Sequence, residues 1–148
     1  MRTPIRAGAV EARGERTFVH PVRVYWEDTD AGGIVFYANY LKFFERARTE
    51  WLRSLGIEQG ALRESTGGMF VVSQTSVRYL KPARLDDELL VTARLQTGGQ
   101  ASLIIAQQAR TKQGGALLCE GTIRIGWVDA ERLRPARIPT TILEALEQ

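Results

Sequence analysis

From Thr17 to Glu27 the chain reads TFVHPVRVYWE, with Phe18, Val22, Val24 and Trp26 on alternate positions. β-Branched and aromatic residues at a period of two predict a half-buried strand, with Pro21 placing part of it at an edge or bulge. Ala31-Gly32-Gly33 breaks the alternation. The run NYLKFFERARTEWLRSLG then puts Tyr40, Phe44, Ala47, Trp51 and Leu55 at helical spacing, which predicts a long amphipathic helix. Gly56 follows the last periodic residue as a stop signal. Glu45 with Arg48, and Arg46 with Glu50, have the spacing of surface charge pairs.

The second half of the sequence changes period. Met69 to Leu80, Glu88 to Gln96, Gln100 to Lys112 and Ala116 to Val128 read as four further strands, divided by Pro82, Gly98-Gly99 and Gly114-Gly115. Short helices are expected at Ile57 to Ser65 and at Thr140 to Leu146. The order of one strand, one long helix and four strands predicts an α+β fold in which a single antiparallel sheet of about five strands packs on one central helix. A single domain over residues 17–148 is expected, preceded by a solvated and poorly ordered tail at residues 1–16, where Arg2, Arg6, Arg13 and Arg16 alternate with Glu11 and Glu15. One helix leaves much of such a sheet uncovered, so a homo-oligomer is expected, either a dimer or a dimer of dimers.

Composition mainly narrows the chemistry. The 148 residues are 44% hydrophobic and 25% charged, within the usual range for globular proteins, and their formal charge of +3 is too small to argue for nucleic acid. No run approaches the length of a membrane span or a signal-peptide core, so a cytoplasmic protein is expected. A single cysteine, Cys119, rules out an intramolecular disulfide and a cysteine-rich metal site, and favours a reducing compartment. The only histidine, His20, lies well before the glycine break, which removes two-histidine metal motifs and leaves carboxylates as the leading catalytic groups. Neither a metal nor an organic cofactor is expected.

The segment WEDTDAGGIVFYANY, from Trp26 to Tyr40, concentrates the candidate chemistry. Asp28 and Asp30 end the first strand, small residues follow, and a helix starts soon after. Free amides near Phe36, Tyr37 and Ala38 carry partial positive charge that can stabilise an oxyanion beside Asp30. Two readings stand at this point: Asp30 acts on an electrophile held by those amides, or Asp28, Asp30 and Asn39 simply cap the helix and stabilise the turn.

DTDAGGIVFYANYLKFFERARTEWLR, from Asp28 to Arg53, together with RYLKPARLDDEL, from Arg78 to Leu89, resembles the signature of hotdog-fold thioesterases related to 4-hydroxybenzoyl-CoA thioesterase. Within that family the likeness is greatest to the Tol-Pal-associated acyl-CoA thioesterases. The resemblance implies hydrolysis of a small or medium acyl-CoA or an aryl-CoA, with active sites between paired subunits that share a continuous sheet. It implies that Asp30 is nucleophile or general base and that the Tyr37 backbone N–H polarises the carbonyl, with Asp28 supporting. An acyl carrier protein is a possible alternative bearer of the acyl group, and a non-enzymatic module binding acyl-CoA or acyl carrier protein is the competing function. The Tol-Pal-associated branch commonly has histidine at the position of Tyr37. The basic cluster that some relatives use for coenzyme A phosphates is replaced here by Gly98-Gly99-Gln100, leaving Lys81, Arg84 and the tail arginines as candidates.

Trp26, Phe36, Met69 and Phe70 are candidate acyl-pocket residues, although apolar residues at such spacings are more often core. His20 is expected at a strand surface or interface and Cys119 in the core. Arg132, Arg134 and Arg137 are expected to be solvated.

Overall fold

The structure is a computed structural model and describes residues 8–12 and 15–147. Its strands are β1 Gly8–Ala12, β2 Glu15–Arg23, β3 Gly68–Tyr79, β4 Glu88–Gly98, β5 Ser102–Thr111 and β6 Leu117–Asp129; its helices are α1 Tyr40–Ser54, α2 Gln59–Thr66 and α3 Thr140–Leu146. All six strands form one antiparallel sheet in the order β1-β2-β4-β5-β6-β3. The expected α+β architecture of strand, long helix and four further strands in one antiparallel sheet is therefore present, with β3 returning to pair with β6 at the far edge. The sixth strand, β1, falls inside the stretch expected to be a tail; residues 1–7 and 13–14 lie outside the described residues.

Alternation decides which side chains reach the core. On the central strands Leu89, Val91 and Ala93 of β4, with Leu103, Ile105 and Ala109 of β5, point at α1 and are buried. The helix answers with Tyr40, Phe43, Phe44, Ala47, Trp51 and Leu52. Gln107 is the polar member of this layer. Its Nε2 donates to the Phe44 and Thr92 carbonyls at 3.0 and 3.1 Å, and its Oε1 accepts from Arg48 Nη1 at 3.0 Å. Arg48 thus faces the sheet, where burial lowers its pKa from the usual arginine value and Glu45 partly offsets this. The α1 ion pair in the structure is Arg53 with Glu50 at 3.7 Å.

Helix α1 ends as the sequence predicts, with Gly56 in the left-handed region at φ +82° and Ile57 N–H reaching back to the Leu52 carbonyl at 2.9 Å. Pro21 is tolerated for a geometric reason. Val24 N–H and C=O both bond across to Asp87 and Asp86, so by strand alternation Pro21 directs its missing donor away from β4 and costs no bond of that ladder.

The far edge of the sheet is different. β3 runs for 12 residues along β6, and no described strand pairs with its outer side. No helix among the described residues is long and apolar enough to cross a membrane.

Candidate active site

The first strand is shorter than its alternation predicts. β2 stops at Arg23, and Trp26–Asp28 forms a single 3-10 turn. This turn changes the facing of every residue after Val24. Tyr25 and Trp26 are 62% and 79% exposed, so Trp26 is not the core residue its position in the alternation predicts, whereas Asp28 is buried.

From Asp28 the chain folds back on itself. Thr29 bridges Val35, Asp30 N–H donates to the Ile34 carbonyl at 2.9 Å, and Phe36 N–H donates to the Asp28 carbonyl at 3.0 Å. The glycines make this reversal possible. Gly33 sits at φ +78°, and a Cβ on Gly32 would lie 3.2 Å from Asp30 Oδ1. The Gly32 N–H instead donates to that oxygen at 2.8 Å. Asp30 is exposed, and among the described residues none donates to its Oδ2.

Asp28 is spent on structure. Its Oδ2 accepts from Tyr25 N–H at 2.8 Å, and its Oδ1 accepts from Asn39 Nδ2 at 2.5 Å. Although the two carboxylates follow the strand at a spacing of two, they do not share a face: the 3-10 turn buries the first and the reversal exposes the second. Asn39 does not cap α1 either. Its backbone is already helical and its side chain is committed to Asp28.

The reversal ends in a second 3-10 turn, Tyr37–Asn39, that leads directly into α1. No side chain caps it, and among the described residues no backbone carbonyl accepts from the Tyr37 or Ala38 N–H. These are the orphan donors that open any helix, and here they stand at the base of the loop that carries Asp30. Asp30 and Tyr37 are thus brought to one loop, as the spacing suggested.

Aromatic rings crowd around Tyr37. Phe36 lies 4.8 Å away between centroids, and Tyr79 from the end of β3 meets it edge-on at 6.0 Å. Tyr79 also packs at 5.7 Å against buried Tyr40, whose hydroxyl accepts from Ala83 N–H at 3.2 Å. Burial raises the pKa of both Tyr40 and Tyr79, so the two phenols stay neutral. Tyr79 was not singled out from sequence; its position at the end of a strand, inside RYLKPARLDDEL, was the available signal. Of the other apolar candidates, Phe36 is exposed beside the loop, while Phe70 meets Trp127 edge-on at 4.9 Å and Met69 lies beside it on the same strand.

Of the remaining candidates Arg84 bridges Ile34 of the reversal, whereas His20 and Cys119 sit on strands of the sheet. His20 is half-buried on β2, facing α1 near Glu50 and Arg46, and burial lowers its pKa. Cys119 is fully buried on β6, its thiol pushed up to about 12 by desolvation and then by Glu120. Arg132, Arg134 and Arg137 are exposed, as expected, and so are Lys81 and Arg84.

Comparison with known proteins places this geometry in context. The profile of the thioesterase-like superfamily matches residues 24–146. The acyl-CoA thioesterase YbgC of Haemophilus influenzae is 40% identical over 128 residues, covering 86% of this chain and 93% of that protein. A probable thioesterase from Bartonella henselae superposes with a TM-score of 0.76 at 30% identity, over 83% of this chain and 99% of that one. A 1,4-dihydroxy-2-naphthoyl-CoA thioesterase from Synechocystis shares the fold with a TM-score of 0.81 at 20% identity, over 88% of this chain and 95% of that one.

Proposed function

Since the chain belongs to the thioesterase-like superfamily, has the hotdog fold and is a thioester hydrolase, we propose that it cleaves small or medium acyl-CoA or aryl-CoA thioesters at the Asp30–Tyr37 loop. The observation that carries this reading is the pairing of an exposed carboxylate with uncapped helix amides on one short reversal.

The chemistry follows from that pairing. A thioester carbonyl oxygen accepts hydrogen bonds from the Tyr37 and Ala38 N–H groups, which stabilise the negative charge that builds as the carbonyl carbon becomes tetrahedral. Gly32 holds Asp30 Oδ1, which leaves Oδ2 available for the reaction. As general base, Oδ2 takes a proton from water while the water oxygen bonds to the carbon; collapse breaks the C–S bond, and the thiolate leaves with a proton to give acid and CoA thiol. As nucleophile, Oδ2 itself bonds to the carbonyl carbon, the C–S bond breaks to release the thiolate, which takes up a proton, and water then opens the resulting mixed anhydride to free acid and regenerated Asp30. Single turnover in ¹⁸O-water separates the two, because only the anhydride route can place label in Asp30.

The long free edge of β3 supports assembly with a second copy. Its outer backbone groups lack partners among the described strands, and Val72, Tyr79 and Leu80 are exposed along or next to it. The single buried thiol fits a reducing compartment, and we assign the protein to the cytoplasm.

The direct test is thiol release from a panel of aliphatic and aromatic acyl-CoAs and acyl carrier proteins, run with and without EDTA. Hydrolysis that survives chelation is expected. Tight binding without thiol release would instead favour an acyl-CoA binding module, and activity restored by a divalent ion would overturn the metal-free route. Sedimentation at micromolar concentration should give a dimer or larger species, and a folded monomer would refute the assembly.

A further inference from the structure

The oxyanion donor is a backbone amide, so its aim depends on what holds residue 37 in place. One side of the turn is well anchored. Phe36 N–H bonds to the Asp28 carbonyl, Asn39 N–H bonds to the Phe36 carbonyl, and the Asn39 side chain bonds to the Asp28 carboxylate. None of these anchors falls on Tyr37 itself. The ring contacts of Tyr37 among the described residues are with Phe36, which belongs to the same turn, and with Tyr79, which does not.

Tyr79 is in turn fixed to the body of the protein. It is the last residue of β3, paired with Cys119 of β6, and its ring lies against Tyr40. Tyr40 is buried, packs edge-on against Phe43 at 5.9 Å, and is held by the Ala83 amide. A continuous row of rings therefore runs from the core face of α1, through Tyr40 and Tyr79, to Tyr37. Edge-to-face contacts of this kind are directional, and a sub-ångström displacement of a donor is enough to slow catalysis.

We propose that Tyr79 is a positioning residue that clamps Tyr37 through its ring and so aims the Tyr37 N–H at the thioester oxygen. This rests on the reading of that amide as the oxyanion donor. Because Tyr79 ends the free edge strand, the clamp also ties the site to the state of that edge.

The tests use the full-length protein and the best acyl-CoA substrate found in the panel. Tyr79→Ala should lower kcat about tenfold with little change in KM, because the interaction matters most as the oxyanion forms. Tyr79→Phe keeps the ring and should hold kcat within about twofold of wild type. If Tyr79→Ala fails to fold, Tyr79→Leu, which fills the space without an aromatic edge, carries the same expectation. Combined with Tyr37→Ala, the Tyr79→Ala loss should vanish, because the clamped ring is already gone. Wild-type kcat in the Ala and Leu variants, a Phe variant as slow as Ala, or losses that multiply in the double variant would each overturn the clamp.

Failure of the underlying donor assignment is read separately. Proline is tolerated at the first position of a helix, and Phe36, at φ −60° and ψ 130°, already has the backbone that precedes proline. Tyr37→Pro therefore removes the N–H, whereas Tyr37→Ala removes only the ring. Equal rates for those two variants would refute the oxyanion donor, whatever Tyr79 does.

Discussion

Asp28 and Asp30 are two residues apart and live in opposite surroundings. Asp28 is 4% exposed and has both oxygens engaged, one by a backbone amide and one by Asn39. Asp30 lies in solvent with one oxygen held by Gly32. The difference arises from the 3-10 turn at Trp26–Asp28, which turns the first carboxylate inward, and from the glycine reversal, which turns the second outward. A buried carboxylate whose lone pairs are filled makes a good joint and a poor base. An exposed one with a steadied oxygen has the reverse aptitude.

The same substitution at both positions should therefore give opposite phenotypes. Asp30→Asn keeps the Oδ1 that accepts from Gly32 but can neither take a proton nor attack, so kcat should fall by about three orders of magnitude with an unchanged melting temperature. Asp28→Asn places an NH₂ against a donor, Tyr25 N–H or Asn39 Nδ2–H, inside the protein. That should cost about 2 kcal/mol, a melting-temperature drop of roughly 5 °C, with a much smaller loss of kcat. Near-wild-type turnover in Asp30→Asn, or equal melting temperatures for the two variants, would collapse the distinction.

A rescue sharpens it further. Adding Asn39→Asp to Asp28→Asn exchanges donor and acceptor: the new amide accepts from Tyr25 N–H and donates to the new carboxylate, which also sits favourably at the start of α1. Calorimetry should recover about half of the lost stability, whereas Asn39→Asp alone sets two carboxylates together and should destabilise. No second-site exchange of this kind should restore Asp30→Asn.

The smallest effect lies away from both carboxylates. Burial lowers the pKa of His20 in the folded protein, so the unfolded chain binds its proton more tightly. Its contribution to stability is full above about pH 6.5, the unfolded value, and fades as pH falls through the folded value. His20→Gln should remove this slope from melting curves recorded between pH 5 and pH 7 while leaving the Asp30 rate profile in place.

Much of the fold was legible because its signals are local. Period two in β4 and β5, period 3.6 in α1 and the Gly56 stop each depend on a few neighbouring residues. The loop chemistry was legible in outline: an acid pair, small residues and a helix start. The burial of Asp28 was not, because alternation carried on through Trp26 gives no hint of a 3-10 turn. Asn39 looked like a cap, and only the folded loop reveals that Asp28 claims its side chain. Tyr79 was invisible for a different reason, since its contacts with Tyr37 and Tyr40 join segments far apart in sequence.

Among the described residues the two rims of the sheet are unequal, β1 with five and β3 with 12, and β3 carries a register shift between Val72 and Gln74. A bulge bends the strand and fixes where a neighbour can align. Two copies joined rim to rim along β3 would use up the long template in each. The same exposed backbone that can accept a companion would then be closed to a third copy, which would make the product finite at that edge.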